Sequence, residues 1–402
     1  MTARPIPLFE PRAQYARLRA RIDARLRDVL AHGRYVLGPE VAELETALAR
    51  LAGVGHAVAV GNGTDALLIA LLAEGIGPGD AVFVPAFTFV ATAGAVVSAG
   101  ATPVFCDVDR ATFNIDPADL AARTARLPTG LRPRAVIAVD LFGQPADYPA
   151  IAAVAEAHGL LVVADAAQSL GGAHGDVPVG GLATVTATSF YPTKPLGALG
   201  DGGALFTDDP ARADRMRAIR EHGFGEMAGL NSRLDTLQAA VLLAKLETFE
   251  ADRAQRSAIA ARYDAAFAPH VGLQSCPPGV VTAHAVYAIL SDRRDGLKDS
   301  LQARGIASRA YYATPLHLMP AMRRYAGGTG PLPASEWLSG RVLALPCHAD
   351  LPDRDAERVC DAVHAFLEAP APPEPPKSGR AGPRALHECR STGWAPLAGT
   401  PS

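Results

Sequence analysis

The chain has 402 residues, 49% hydrophobic and 20% charged, with a net charge of −3, enough for a large buried core and two domains. That balance supplies no basic field for nucleic acid and no polybasic membrane anchor. The cysteines (Cys106, Cys276, Cys347, Cys360, Cys389) are scattered and odd in number, without a Cys-x-x-Cys pair. Neither a disulfide framework nor a zinc site is expected, and a reducing cytoplasm fits.

The chain opens on helices. Leu18, Ile22, Leu26 and Val29 recur at helical spacing on an Arg-rich background, so one face packs and the other is solvated. The dense charge from Arg12 to Arg27 leaves no apolar stretch for a signal peptide. Gly33 and Gly38-Pro39 punctuate the chain before a second helix, Val41–Leu51.

Short apolar runs then alternate with helical stretches. Seven read as strands: Ala57–Val60, Ala81–Val84, Pro103–Asp107, Ala135–Asp140, Leu160–Asp165, Thr186–Phe190 and Gly203–Thr207. Asp65–Glu74 and Tyr148–His158 are among the intervening helices. The alternation predicts an α/β fold with a seven-stranded, mostly parallel sheet covered by helices on both faces. The uncharged stretch Ala81–Cys106 is long enough to cross a membrane, but Pro85, Gly94, Gly100 and Pro103 divide it into strand, helix and strand. It reads as buried core.

A long helix is expected over Arg233–Tyr263, with Leu237, Val241, Lys245 and Thr248 at helical spacing. The expected organisation is a large domain with N-terminal helices over 1–250, a smaller α+β C-terminal domain over 251–369, and a disordered Pro/Gly-rich tail over 370–402.

Of thirty-eight basic residues only Lys194, Lys245, Lys298 and Lys377 are lysines. Lys194 sits among small, turn-forming residues in Thr188–Gly203. A lysine can lose its proton when buried and condense with a carbonyl, which arginine cannot, so Lys194 points to imine chemistry, although a lone lysine is ordinarily a surface charge. Gly61-Asn62-Gly63-Thr64-Asp65 ends a strand and opens a helix. It outlines a phosphate site at a helix N-terminus, or simple structural punctuation. Asp165 ends an apolar run; it could cap a helix or hold a ring nitrogen protonated, with Gln168 reaching a ring hydroxyl. Phe87 and Phe89 are core, or Phe89 stacks on a flat ring. Asn231 and Ser232 cap the long helix, or serve a site.

These segments resemble, in order, the motifs of the DegT/DnrJ/EryC1/StrS sugar aminotransferases: Gly-Asn-Gly-Thr-Asp-Ala-Leu, Pro-Ala-Phe-Thr-Phe-Val-Ala-Thr, Ala-Asp-Ala-Ala-Gln-Ser-Leu-Gly-Gly, Ser-Phe-Tyr-Pro-Thr-Lys-Pro-Leu-Gly and Asn-Ser-Arg-Leu-Asp-Thr-Leu-Gln-Ala-Ala. The likeness runs from about Pro7 to Leu367. It implies the type I aminotransferase fold, pyridoxal 5'-phosphate as cofactor, and a homodimer with shared active sites. Lys194 then matches the lysine that binds the cofactor aldehyde, Asp165 the partner of the pyridine nitrogen, and Gln168 the residue near the ring hydroxyl. Gly63, Thr64 and Ser189 match the phosphate cradle, Phe89 the stacking aromatic, and Asn231 a phosphate ligand from the partner subunit.

The activity implied is transfer of an amino group from L-glutamate to a keto group, C3 foremost, of a nucleotide-linked sugar. The chain resembles the UDP-linked 2-acetamido-3-keto-glucuronate enzymes most, with Arg233, Tyr311, Tyr312 and His317 as substrate contacts. Two departures bear on the sugar pocket: Tyr311 stands where uronate enzymes often carry His, and His284-Ala285-Val286-Tyr287 replaces a Tyr-Ala-Gln-Tyr-like stretch. Lys194 argues against a sugar dehydratase of the same fold, whose relatives carry His at that position. Lys194, Asp165 and Ser189 together argue against a non-catalytic regulatory relative.

Overall fold

A computed structural model of the chain describes residues 4–327 and 329–369; the expected disordered tail, 370–402, lies outside the described residues. The helix α1 (Pro11–His32) buries Leu18, Ile22 and Val29, three of the four residues whose spacing predicts it. The next, α2 (Pro39–Ala52), starts on Pro39 and stops at Gly53, where φ is 70°. Proline lacks the amide that a first helical residue leaves unpaired, and glycine takes the left-handed stop without a Cβ clash.

The central sheet contains β1 (His56–Val60), β2 (Asp80–Pro85), β3 (Thr102–Cys106), β4 (Arg132–Val139) and β5 (Leu161–Asp165). After a small hairpin, β6 (Ala173–His174) and β7 (Val177–Pro178), come β8 (Val185–Ser189) and β9 (Gly203–Thr207). All seven predicted strands join one sheet in the order β1-β9-β8-β5-β4-β2-β3. Neighbours from β8 to β3 are parallel, whereas β9 runs antiparallel to both β1 and β8. The helices α3 (Gly63–Ala73), α4 (Val90–Ser98), α5 (Pro117–Ala125), α6 (Tyr148–His158) and α7 (Pro210–Arg220) cover it.

Alternation along the strands divides the core. Val82 and Val84 pack with α3 and α4 on one face, and Phe83 between them packs with α5 and α6 on the other, as a side-chain period of two requires. The uncharged stretch 81–106 is thus strand, helix and strand. Among the described residues no helix is long and apolar enough to cross a membrane.

The long helix expected over Arg233–Tyr263 is instead two helices, α8 (Thr236–Leu246) and α9 (Phe249–Phe267). At the break both the amide and the hydroxyl of Thr248 turn back on Lys245 O, at 3.2 and 3.4 Å, a local bond that competes with helix continuation. At the front, Asp235 is extended (φ −62°, ψ 139°), which leaves Asn231–Leu234 free to line the sheet rim.

Beyond α9 the strands are short, which is why their sequence pattern is weak. They are β10 (Gly272–Leu273), β11 (Val280–Val281), β12 (Tyr287–Leu290) and β13 (Val342–Leu345), with α10 (Arg294–Ala303), α11 (Pro333–Ser339) and α12 (Asp353–Glu368). A three-stranded sheet, β10-β12-β13, shares a separate core with α9, α10 and α12, built on Ile259, Tyr263, Phe267, Ile289, Leu343 and Val359. β11 pairs instead with β6, back toward the larger sheet.

Candidate active site

The sequence-predicted residues gather where β1, β5 and β8 end. The antiparallel β9 sets this rim: its first residue, Gly203, lies opposite Val60 on one side and Ser189 on the other. A Cβ on Gly203 would come 2.7 Å from Asn62 O and 2.8 Å from Thr188 O, so only glycine lets the two strand ends approach this closely. The turn after β1 and the end of β8 are thereby brought together. Gly63 opens α3 directly against Ser189, and a Cβ there would lie 2.6 Å from Ser189 Cβ.

This turn is locked by side chains from two of the motifs, Asn62 and Asp65 of the first and Ser232 of the last. Asn62 caps α3, its Oδ1 accepting from Asp65 N at 2.8 Å. Ser232 Oγ donates to Asp65 Oδ2 at 2.7 Å and accepts from Gly61 N at 3.1 Å. The first-turn amides of Gly63 and Thr64 have no intrahelical partner, and Thr64 is exposed. Neither Asn231 nor Ser232 caps α8. Asn231 is exposed, bridges to Glu221 and accepts from the Arg233 guanidinium.

Asp165 is buried at the end of β5, and no helix follows it, which removes the capping reading. Thr92 Oγ1 donates to its Oδ2 at 2.8 Å, and Ala167 N approaches Oδ1 at 3.3 Å. Burial raises the carboxyl above its ordinary range, against the pull of Thr92, the Lys194 charge and Ala167. Lys194, half-buried in the loop between β8 and β9, is pushed the other way: burial lowers its amine and Asp165 partly restores it. Amine and carboxyl thus form a pair whose charged states are both disfavoured by burial and favoured by one another.

The remaining residues surround this pair unevenly. Gln168 Oε1 accepts from Phe142 N at 2.9 Å, which turns its amide nitrogen toward Tyr312 Oη, 3.5 Å away. Phe87 takes the core position, whereas Phe89 is 53% exposed at the start of α4, its ring 6.0 Å from that of Tyr312. Tyr311 packs on Tyr312 and under the Arg309 guanidinium. His317 does not join the group: it is buried, with Nε2 3.2 Å from Glu336 Oε1 on α11. Thr92 lies inside a motif read for its aromatics, and only three-dimensional proximity reveals its role.

A further carboxyl, Asp140, lies behind Asp165, its amide donating to Asp165 O at 3.1 Å. It is fully buried and accepts from Ser169 Oγ at 2.6 Å, Tyr148 Oη at 2.8 Å and Ala146 N at 2.9 Å. Burial outweighs these donors and raises its pKa to about 7.

Known proteins resemble this chain over most of its length. The profile of the DegT/DnrJ/EryC1/StrS aminotransferase family matches residues 16–364. The chain is 42% identical over 364 residues to a UDP-2-acetamido-2-deoxy-3-oxo-D-glucuronate aminotransferase of Pseudomonas aeruginosa, covering 89% of this chain and 99% of the relative. It is 41% identical over 370 residues to a dTDP-3-amino-3,4,6-trideoxy-alpha-D-glucose transaminase of Streptomyces venezuelae, covering 90% and 96%. A crystal structure of a DegT DnrJ EryC1 StrS aminotransferase from Brucella abortus superposes with a TM-score of 0.87 at 47% identity, covering 90% of this chain and all of that one. Fold and relatives together define an aminotransferase that works with pyridoxal phosphate. The chain belongs to the DegT/DnrJ/EryC1/StrS aminotransferase family.

Proposed function

We propose that the protein moves the amino group of L-glutamate to the C3 keto group of a nucleotide-linked sugar, as a cytoplasmic homodimer making amino sugars for a surface polysaccharide or a glycosylated metabolite. The observation that carries the reading is the pairing of Lys194 with the buried Asp165 beside a turn shaped for phosphate. The UDP-linked 3-keto relatives support the sugar class.

The residues fit pyridoxal phosphate. Gly63 packs so closely on Ser189 that a Cβ there would lie 2.6 Å from Ser189 Cβ, which sets the first-turn amides of α3 beside the Ser189 hydroxyl as donors for a dianion. Bound, the cofactor supplies an electron sink for negative charge at the carbon that loses its proton. Asp165, steadied by Thr92, would face the ring nitrogen and keep it protonated. Gln168 offers its amide N–H to the ring hydroxyl, and Phe89 covers a ring face.

Lys194, its amine made easier to deprotonate by burial, would hold the cofactor at its aldehyde. With its amine free, Lys194 would hold and move the proton that leaves the amino-bearing carbon of the donor. Asn231, exposed beside the rim, reaches the phosphate in the partner subunit. Arg233, Tyr311 and Tyr312 contact the sugar, and Arg233 offers a fork for a uronate carboxylate. The enclosed His317 is left to hold Glu336.

The test is direct. Purified protein should absorb in the visible, and borohydride reduction should fix the cofactor mass on the Lys194 peptide. A panel of keto nucleotide sugars with L-glutamate should then give ping-pong kinetics with a 3-keto substrate. Protein that takes up no pyridoxal phosphate refutes the reading.

A further inference from the structure

The loop that presents Lys194 is held from outside by one face of α8. At its base the loop closes on itself: Phe190 N donates to Gly202 O at 2.7 Å, Ala198 N to Phe190 O at 2.7 Å, and Lys194 N to Tyr191 O at 2.8 Å. Beyond Lys194 two side chains of α8 take over. Gln238 Oε1 accepts from Leu199 N at 2.9 Å, and Lys245 Nζ donates to Gly197 O at 2.6 Å. Gln238 and Lys245 are seven positions apart, so they project from the same face, two turns from one another. Gly197 in turn packs so tightly on the front of the loop that a Cβ would lie 2.6 Å from Pro192 O. A shift at Gly197 therefore moves the turn that carries Lys194.

Lys245 is a costly residue for this place. It is 2% exposed, and its bonded partner is a backbone carbonyl rather than a carboxylate. Burial lowers its pKa to about 8. Of the charged groups facing it, Asp252 of α9 and Asp350 after β13 favour the ammonium and Arg17 of α1 opposes it. Both carboxylates are already engaged by Arg17, and Asp252 also by Gln14. An ammonium taken out of water without a carboxylate of its own is destabilising, and an apolar side chain of the same length would avoid that penalty.

We infer that the face of α8 bearing Gln238 and Lys245 is a positioning device for Lys194: Lys245 through Gly197 O, and Gln238 through Leu199 N, fix the 190–202 loop so that the Lys194 amine is presented toward Asp165. The inference rests on Lys194 being the lysine that takes the cofactor. It makes Lys245 a positioning residue, with no contact to substrate or cofactor.

The experiment compares wild type, Lys245→Met and Gln238→Leu. Methionine keeps the length and apolar stem and removes the donor. Three properties are measured: affinity for pyridoxal phosphate, the pH midpoint of the visible absorbance change of the bound cofactor, and the unfolding temperature of the cofactor-free protein. Lys245→Met should bind the cofactor about ten-fold more weakly, the loss expected for one charge-assisted hydrogen bond. Its absorbance midpoint should move by about half a pH unit or more, because the environment of the Lys194 nitrogen changes. Gln238→Leu should move both in the same direction, and Lys245→Arg, which retains donors, should recover part of the affinity. A Lys245→Met protein with a lower unfolding temperature but wild-type affinity and midpoint would show that Lys245 serves stability alone, and would overturn the inference. Should Lys245→Met fail to fold, wild-type values for Gln238→Leu, at the less buried anchor, overturn it equally. A wild-type protein that fixes no cofactor on Lys194 is a different failure, and removes the underlying reading as well.

Discussion

Replacing Asp165 with asparagine separates the chemistry of the site from its architecture. Asparagine keeps the shape of the side chain, and its carbonyl oxygen can still accept from Thr92, now 2.8 Å from Asp165 Oδ2. The fold should therefore lose little. Because burial already disfavours the carboxylate, the cofactor-free variant should unfold at or above the wild-type temperature. What disappears is the negative charge that, in the proposed role, would keep the ring nitrogen protonated. At an effective dielectric of about 20, opposite unit charges about 4 Å apart interact by about 4 kcal/mol. If that interaction is needed in the transition state, turnover falls by about three orders of magnitude. The assay is a single half-reaction with L-glutamate in a rapid-mixing spectrophotometer, with borohydride labelling of Lys194 as the control for loading. A loaded Asp165→Asn enzyme reacting within about three-fold of wild type, a difference below 1 kcal/mol, would refute the assigned role.

Three further substitutions probe the surroundings. Thr92→Val removes the hydroxyl donor from Asp165 and should raise that carboxyl further, slowing turnover about ten-fold; an unchanged rate in steady-state assays would contradict this. Gly63→Ala places a methyl 2.6 Å from Ser189 Cβ, and should weaken pyridoxal phosphate binding by about ten- to a hundred-fold, the usual range for overpacking, as read by cofactor titration. Asp140 gives a pH test. Its carboxyl is raised from 3.8 to about 7, so the folded chain keeps a proton there that the unfolded chain releases. The stability this contributes is complete below the unfolded value and is lost as pH rises through the folded one. Asp140→Asn cannot titrate, so its unfolding free energy relative to wild type should improve from acid to pH 8, by up to about 4 kcal/mol; a difference independent of pH would contradict the assignment.

The fold was legible because each element carries a local signature. Strands of a sheet covered on both faces read as short apolar runs, and all seven appeared as such. The place of β9 was not legible, since nothing within Gly203–Thr207 says that it lies between β1 and β8. The break at Thr248 was hidden for another reason: the helical spacing continues straight through it, and only the turned-back hydroxyl ends the first helix. In the site, Lys194, Asp165 and Gly63 announced themselves through unusual residue types at strand ends. Thr92 and Asp140 did not, because a buried hydroxyl or carboxyl acquires meaning only from a partner far away in sequence, such as Asp165 for Thr92. His317 differs again: it lies near a site motif in sequence, and the fold encloses it against Glu336.

The antiparallel β9 also bears on how the protein matures. Gly63 follows β1 and Ser189 ends β8, two strands far apart in sequence with only β9 between them in the sheet, and their approach depends on Gly203 pairing with both Val60 and Ser189. A nascent chain that has not yet emerged as far as β9 holds Gly63, Thr64 and Ser189 without the pairing that brings them together. Uptake of pyridoxal phosphate is thus a late event in folding, and the appearance of colour during refolding should trail the recovery of secondary structure, reporting that the sheet has closed.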